Sequence, residues 1–395
     1  MPSRGTMPAL LALSLGYFSL GTISLAVVGL NGPIGDDLHV APARVGLLVT
    51  VFALTFAVFA PAAPILLRRW NRKRVLLLGI GLLTVGAALS AVAPNYGFLT
   101  ATRVLGAIGA AVFGPGSSAA GSLIVPPERR QRALAVVFAG MTAAAVLGVP
   151  LASFLGGSLG WRPALLGVAA LSAIACVLVA VYVPEIPAGE PPTVQAYRNA
   201  LRTPAALSTV STTLLFMSAQ FTVYGIAGAY LKDRFDASSG LISATLLAFG
   251  VIGVAGNALS PRIAEKIGGA RTITVSVVGL ASGFALLLVA PHSTPGLAVF
   301  AYWAFFSQMY QAPQQARLVD LVPTQPGMIL AMNAAALYLG MSLGSFVGSS
   351  FLPGIGAGPI PAIALGILVL AALAHAASAR KVGVVPEVPE PARTV

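Results

Sequence analysis

The sequence predicts an all-α integral membrane protein with twelve membrane-spanning helices arranged as two similar halves. Of its 395 residues, 57% are hydrophobic and only 9% are charged, whereas a soluble domain carries roughly 25% charged residues. Continuous apolar runs of about 20 residues recur along the chain, which is the length that an α-helix needs to cross a bilayer. These runs favour helices over the shorter, alternating strands of a membrane barrel.

The basic residues indicate how these helices are oriented in the membrane. If the N-terminus is cytoplasmic, 18 of the 23 lysines and arginines fall on the inner side of the predicted spans. The positive-inside rule therefore predicts that both termini are cytoplasmic. The net charge of +12 then reflects orientation and contact with anionic lipid, and it does not indicate a nucleic-acid partner. The predicted spans cover residues 7–30, 44–67, 75–93, 97–124, 133–156, 163–183, 205–230, 238–259, 272–290, 294–316, 327–349 and 355–378.

Short segments of the first half recur in the second half. Four such pairs are separated by 191–197 residues. Repeated halves predict a pseudo-two-fold axis with a binding site at their interface near the bilayer midplane. We predict an N-terminal six-helix bundle at 1–183, a cytoplasmic linker at 184–203, a C-terminal bundle at 204–378 and a disordered cytoplasmic tail at 379–395. The paired segments are 141–148 and 332–340, 153–156 and 345–348, 46–48 and 240–242, and 125–126 and 322–323.

The fifth predicted span carries a row of small residues at a spacing of four. This spacing places them near one face of a helix, where two helix backbones can approach closely. Pro150 removes a backbone hydrogen-bond donor and predicts a bend next to Gly148. Such a helix suits a surface that slides or rocks against its neighbour, although small residues alone are more often ordinary membrane helix packing. The row consists of Gly140, Ala144, Gly148, Ala152 and Gly156.

Polar side chains inside the spans are the candidates for binding a solute, because they are costly in lipid unless they face a cavity or a partner. Arg103 is the one charge clearly within a span. It either faces inward, to bind an anionic group or tune a proton site, or extends to the outer headgroups. An aromatic and amide lining suits neutral polar or aromatic molecules, whereas hydrogen bonding between helices is the alternative for each single residue. The predicted substrate-binding residues are Asn31, Arg103, Gln220, Tyr224, Trp303, Ser307, Gln308, Gln311 and Asn333.

Four motifs resemble those of the major facilitator superfamily and, within it, of the twelve-span drug–proton antiporter and sugar-efflux group of bacteria. In span five, Gly148-Val-Pro150-Leu followed by Gly156-Gly157 is similar to the antiporter motif. The others are the arginine motif of span four at 99–111, the turn between spans one and two at 29–48, and a basic loop at 68–74. The resemblance covers residues 7–378. It implies the major facilitator fold, with two pseudo-symmetric six-helix bundles, and transport by alternating access.

The resemblance also implies gating residues on the inner side. The family's basic loop has the pattern Gly-x-x-x-Asp-Arg-x-Gly-Arg-Arg, and here Pro64, Arg68 and Asn71 replace the first glycine, the aspartate and the second glycine. The copy in the second half, Glu265-Lys-Ile-Gly268, keeps a carboxylate, so Glu265 is the candidate gating carboxylate. Topology and lipid contact alone explain the loop arginines equally well. The predicted gating residues are Arg68, Arg69, Arg72, Gly148, Pro150, Gly156, Gly157, Glu265 and Gly268.

Proton coupling is where the sequence departs most from these relatives. None of its eleven carboxylates is predicted at mid-membrane, although proton-coupled relatives often keep an acidic residue in span one or nearby. A nearby arginine lowers the pKa of a carboxyl group, so a pair that separates during transport can bind a proton. Asp36 and Asp37 are expected near Arg103 if spans one and four pack together, and these three are the remaining coupling candidates. Solvated loop residues are the alternative, and we predict weak or absent coupling.

The sequence thus predicts a multi-pass secondary transporter of the inner (plasma) membrane and not an enzyme. The expected function is export of a small neutral or amphipathic molecule, such as a drug, sugar or nucleoside-like compound, with proton antiport left open. The alternatives are a facilitator or importer of a small polar solute without proton coupling and, less favoured, a non-transporting membrane sensor. No P-loop, zinc-ligand pattern or nucleophile elbow occurs, so no cofactor or metal is expected. We expect a monomer that contacts its substrate, membrane lipid and, if transport is coupled, protons.

Overall fold

The computed structural model contains helices and no strands over the residues that it describes, which are 6–126, 129–187, 195, 204–290, 293–322 and 326–382. Eleven helices in this part are long and apolar enough to cross a membrane. Span 10 brings the total to twelve. It is divided at Tyr310 into the helices Ser293–Met309 and Gln311–Leu321, so neither piece is long enough to be counted among the eleven. The unbroken spans are span 1 (Thr6–Leu38), span 2 (Pro42–Leu66), span 3 (Arg72–Ala91), span 4 (Tyr96–Leu123), span 6 (Trp161–Tyr182), span 8 (Ser239–Ile267), span 9 (Gly269–Val289), span 11 (Pro326–Ile355) and span 12 (Ile360–Val382).

The break in span 10 follows from one proline. Pro313 has no N–H to donate to the carbonyl of Met309, four residues earlier, so the helical ladder is interrupted there. Ser260 of span 8 donates its hydroxyl to that carbonyl oxygen at 2.6 Å. The buried carbonyl is therefore satisfied by a neighbouring helix, as a backbone group within a membrane requires.

Span 5 has the irregularity that its sequence predicts, in the form of a π turn. It consists of the helix Arg130–Ala143, a π turn at Ala144–Gly148 and the helix Val149–Ser158. The Val149 N–H donates to the Ala144 carbonyl oxygen, five residues earlier. The widened turn ends two residues before Pro150, which lacks the N–H of a regular helical residue. Span 7 is interrupted in a different way, because Pro204–Tyr224 ends before Gly225 and the chain continues as the helix Ala227–Phe235.

The row of small residues in span 5 packs against span 1. All five residues of the row are buried. A Cβ atom added at Gly140 would overlap the backbone carbonyl of Ser14, and one added at Gly148 would overlap the Thr22 hydroxyl. The predicted close approach of two backbones therefore occurs, and it joins two helices of the same half.

Two long interfaces join the two halves. Span 2 packs along span 11, and the π turn and outer helix of span 5 pack along span 8. The internal repeat relates these interfaces, because the segment at 46–48 of span 2 recurs in span 8 and that at 153–156 of span 5 recurs in span 11. The division of the chain at 184–203 stays a prediction, since most of that linker and residues 383–395 lie outside the described residues.

We call the end of the bundle that holds Thr6 the near end and the end that holds Leu38 the far end. Successive spans run in alternating directions, so an even number of crossings also places Val382 at the near end.

Candidate functional site

Hydrogen bonds join the halves in the part of the bundle toward the far end. Ser345 of span 11 donates to the Gly46 carbonyl oxygen of span 2 at 2.9 Å. On the opposite side, Ser243 of span 8 donates to Ser153 of span 5 at 3.0 Å. All four residues lie in the far half of their spans. The bundle is therefore closed at its far end along both interfaces.

Aromatic stacking marks the middle of the bundle. Phe56 of span 2 stacks on Tyr338 of span 11, with ring centroids 3.7 Å apart. Closer to the near end, the helix Arg130–Ala143 of span 5 packs mainly on spans 1 and 4 rather than along span 8. The contacts between span 5 and span 8 are therefore concentrated at mid-depth and toward the far end.

Span 8 brings several of the predicted binding residues together at mid-depth. The Tyr224 ring of span 7 stacks on Phe249, with ring centroids 4.5 Å apart. One turn further along span 8, the Cγ atom of Gln308 lies 2.9 Å from the position that a Cβ atom on Gly253 would take. Gln311 follows on span 10, and its amide nitrogen lies 3.9 Å from the Met217 sulfur of span 7. The candidate site consists of Gln220, Tyr224, Phe249, Gln308 and Gln311.

Two amides of this site make no hydrogen bond within the part of the chain that the structure describes. These are Gln220, which is 3% exposed, and Gln308. Phe249 was missed in the sequence analysis, because an aromatic residue in an apolar helix gives no signal until its neighbours are known. The glutamines were found because polar side chains stand out in such a helix.

Four predicted binding residues lie instead in the packed interior. Trp303 is fully buried among rings, with the Phe284 centroid 4.7 Å away. Ser307 donates to the Ala304 carbonyl of its own helix at 3.1 Å. The Asn31 amide faces the carbonyls of its own helix one turn earlier, and Asn333 accepts a hydrogen bond from Thr213 at 2.6 Å. Hydrogen bonding and packing, the alternative that the sequence left open, describe all four.

Asn333 belongs to a buried polar cluster that links spans 7, 10 and 11. Thr213 stands at its centre and lies 3.1 Å from the Tyr310 hydroxyl. The Gln314 amide donates to the Thr213 hydroxyl at 3.1 Å and to the Thr209 carbonyl at 2.6 Å. The tyrosine and amide residues of span 10 thus divide between this structural cluster and the candidate site, a division that helical spacing alone does not reveal.

Arg103 neither extends to the headgroups nor points into open space. It is 3% exposed, and its guanidinium donates to the carbonyl oxygens of Ile23 at 2.5 Å and Ser24 at 2.9 Å. The same group lies over the Phe52 ring, 4.4 Å from its centroid. Arg103 therefore joins spans 1, 2 and 4, and its predicted role as a free cation for an anionic substrate lacks a geometric basis.

The expected approach of Asp36 and Asp37 to Arg103 is wrong. Span 1 continues to Leu38, so both aspartates lie in its last turns. Asp37 forms an ion pair with Arg162 and accepts a hydrogen bond from the Trp161 indole at 3.2 Å. The helical rise places it roughly 20 Å along span 1 from the carbonyls that bind Arg103. Asp36 is exposed, and neither aspartate pairs with Arg103.

The predicted gating residues at the near end are mostly exposed. Arg68 and Arg69 are exposed, and so is Glu265; none forms an ion pair within the described part of the chain. The Arg72 backbone N–H donates to the Ile186 carbonyl at 2.9 Å. Gly268 has a φ of 86° where it begins span 9, a backbone conformation that favours glycine.

A carboxylate that the sequence analysis did not select contacts the basic loop. The Asn71 side chain caps span 3 by accepting from the Arg74 N–H at 2.8 Å, and its amide donates to the Glu185 carboxylate. The chain thus supplies a carboxylate to this loop from the segment after span 6, where the family pattern has an aspartate within the loop itself. Only proximity in the fold reveals this residue, since Glu185 lies 114 residues away in sequence.

The remaining gating residues belong to the far half. Gly156 packs against Leu30 of span 1, and a Cβ atom on Gly157 would lie 2.7 Å from the Cβ atom of Ser239 in span 8. Gly157 therefore lies at the interface between the halves. Among the described residues, no cluster of histidine, cysteine or carboxylate side chains could hold a metal ion.

Comparison with known proteins places this architecture in a family. Residues 10–345 match the Major Facilitator Superfamily. The chain belongs to that superfamily. The inner membrane transport protein YdhP of Escherichia coli O157:H7 is 32% identical over 383 residues, which cover 94% of this chain and 96% of that protein. The uncharacterized MFS-type transporter YtbD of Bacillus subtilis (strain 168) is 29% identical, over 90% of this chain and 91% of its own.

Solved structures share the major facilitator fold. The bacterial homolog of the human lysosomal transporter Spinster, in an inward-facing and occupied conformation, superposes with a TM-score of 0.77 at 16% identity, covering 96% of this chain and 98% of that chain. The human organic anion transporter MFSD10 gives a TM-score of 0.70 at 16% identity, covering 94% of this chain and 100% of that chain. This major facilitator protein is accordingly a multi-pass membrane transporter of the inner membrane.

Proposed function

We propose that this transporter exports a small neutral or amphipathic molecule, such as a drug, sugar or nucleoside-like compound, by alternating access. The observation that carries the proposal is the candidate site itself, in which unpartnered amides and stacked aromatic rings lie at mid-depth beside the interface between the halves. Aromatic faces bind flat apolar groups and amides bind hydroxyl or carbonyl groups, so the site suits an uncharged ligand. The Arg103 guanidinium, a charge within span 4, is already bonded to span 1.

The orientation of the bundle supports transport toward the far end. With the basic residues on the cytoplasmic side, the near end is cytoplasmic and the closed far end faces outward. In this orientation, access to the site from the near end would be access from the cytoplasm, as the loading step of an exporter requires. The drug and sugar efflux group, which the motifs of span 5 resemble, is the subgroup that we propose on this basis.

A thermal-shift screen of the purified protein against neutral sugars, nucleosides and aromatic drugs tests the site. For a compound that raises the melting temperature, Gln308→Leu should weaken binding about tenfold, the loss expected for one buried hydrogen bond of about 1.4 kcal/mol. Gln315→Leu is the matched control, because Gln315 lies in the second helix of the same span and is exposed. Equal affinity of the parent and Gln308→Leu proteins would show that the Gln308 amide does not bind the ligand.

The second candidate function is facilitated transport without proton coupling, and it rests on the placement of the acidic residues. Every described carboxylate lies at or near the end of a span or in a loop, and Asp37 is bound to Arg162. We expect a pH gradient across proteoliposomes to change the uptake of an identified substrate little. Strong gradient-driven accumulation that persists in Asp37→Asn would show that coupling occurs through a group elsewhere in the chain.

A further inference from the structure

Four serines connect the halves toward the far end, and the internal repeat relates two of them. Ser345 donates to the Gly46 carbonyl oxygen at 2.9 Å. Ser153 occupies the equivalent position in the first half, 192 residues earlier, and accepts from Ser243 at 3.0 Å. Ser342, one turn from Ser345, donates to the Thr50 carbonyl oxygen at 3.1 Å. Each interface between the halves therefore contains serine hydrogen bonds at a related position.

The bond at Ser153 extends into span 1. Pro33 has no N–H to donate to the carbonyl of Gly29, so that oxygen lacks its helical partner. Ser153 donates to this oxygen at 3.2 Å while it accepts from Ser243, whose hydroxyl hydrogen is shared with the Ser239 carbonyl oxygen at 2.9 Å. The proline of span 1 thus creates the acceptor that orients the Ser153 hydroxyl toward span 1 and leaves its lone pairs for span 8.

Two further hydroxyls at the interface between spans 2 and 11 lack a hydrogen bond within the described residues. These are Ser349 Oγ and Thr50 Oγ1, and both are buried. Ser349 lies directly against Gly46, one turn beyond Ser345. A buried hydroxyl without a partner disfavours the packed state, because it would regain a hydrogen bond to water if the interface opened. The same helix face therefore carries one serine that favours closure and one that opposes it.

We propose that Ser153, Ser243, Ser342 and Ser345 form a far-end latch that sets the balance between the closed and open far end, and that Ser349 acts against it. The proposal rests on the proposed alternating-access function. These serines are positioning residues, since they act through the helix interfaces and do not contact the candidate site. Hydrogen bonds within membranes average about 0.6 kcal/mol, so each bond shifts the equilibrium only about threefold. A latch of such weak bonds holds the end closed and still releases it during a cycle.

The test measures the opening of the far end directly. Leu246 of span 8 is 1% exposed, and its side chain lies 3.0 Å from the position of a Cβ atom on Gly29 of span 1, across the interface between the halves. A Leu246→Cys reporter in a Cys176→Ala background, in lipid nanodiscs, should react with a polar maleimide only when the far end opens. We expect Ser345→Ala and Ser153→Ala each to raise the reaction rate about threefold, in proportion to the open population.

Ser349→Ala is expected to change the reaction rate of the reporter in the opposite direction. Removal of the unpartnered hydroxyl should lower the reaction rate, since the closed state no longer contains an unsatisfied group. General loosening of the helices cannot produce this decrease. Ser276→Ala is the matched control, because Ser276 is fully buried and donates only to Thr272 of its own helix. That variant should react at the parent rate.

The outcomes separate the latch from the proposed function. A reporter that reacts measurably in the parent, and at the same rate in Ser153→Ala and Ser345→Ala, overturns the latch and leaves alternating access intact. A rise in rate for Ser349→Ala likewise overturns it. A reporter that stays unreactive in every variant, with the folded proteins verified by their melting temperatures, argues against opening of the far end and hence against alternating access itself.

Discussion

The role of a single residue in this transporter depends on its contacts more than on its chemical type. Arg103 is the clearest example, because an intramembrane arginine suggests a functional charge and this one is bonded to two carbonyls of span 1. The planar guanidinium also stacks on Phe52, and a lysine ammonium cannot reproduce either geometry. The side chain therefore holds three spans together and leaves no free charge for a ligand.

Arg103→Lys tests this assignment at the residue scale. We expect the variant to be less stable by about 1.5–3 kcal/mol, the range for a hydrogen bond to a charged group, and to have a lower melting temperature in detergent. Arg44→Lys is the control, since Arg44 is exposed and lies over the Tyr96 ring at the bundle surface. An unchanged melting temperature for Arg103→Lys, together with lost transport, would restore a direct functional role for the guanidinium.

Among the elements, span 5 combines a small face, a π turn and a proline within a few residues. The small face fits against span 1, while the widened turn and the outer helix contact span 8 of the other half. Gly250 of span 8 has its Cβ position 2.8 Å from the Val146 Cα atom of the turn. Span 5 thus contacts both the core of its own half and a helix of the other half.

Gly148→Ala tests the packing of this element. The added Cβ atom overlaps the Thr22 hydroxyl, so we expect a loss of stability of about 1–3 kcal/mol, as for other overpacked sites. In a Thr22→Ala background the same change should cost less, because the overlapping hydroxyl is absent and only the Cβ atom of residue 22, 3.1 Å away, remains. Gly167→Ala is the control, since nothing lies within 4 Å of its Cβ position. Equal costs in both backgrounds would show that the glycine is needed for another reason, such as the π turn.

For the whole molecule, the two interfaces between the halves determine which end is closed. Span 2 with span 11 and span 5 with span 8 are related by the internal repeat. Both carry their hydrogen bonds between the halves toward the far end. If the far end is the outer end, as the basic residues predict, the end that these bonds close faces away from the cytoplasm.

A cysteine at position 195 tests the orientation of the whole bundle. Gln195 lies in the segment between the halves, which the distribution of basic residues places in the cytoplasm. In a Cys176→Ala background, Gln195→Cys should react with an impermeant maleimide in inverted vesicles and not in intact cells. Labelling from outside in intact cells would reverse the orientation and with it the proposed direction of transport.

The sequence by itself determined the helices, their number and the repeat that relates the halves. Hydropathy and the spacing of small residues are local properties, and a membrane makes them decisive because every backbone polar group in a span needs a partner. The glutamines of the candidate site were predicted for the same reason. Tertiary structure alone decided that Phe249 joins the site, that Trp303 and Asn333 are structural, and that Asp37 pairs with Arg162 instead of Arg103. The rotation and depth of each helix are set by packing against all of its neighbours, and a linear pattern contains neither quantity.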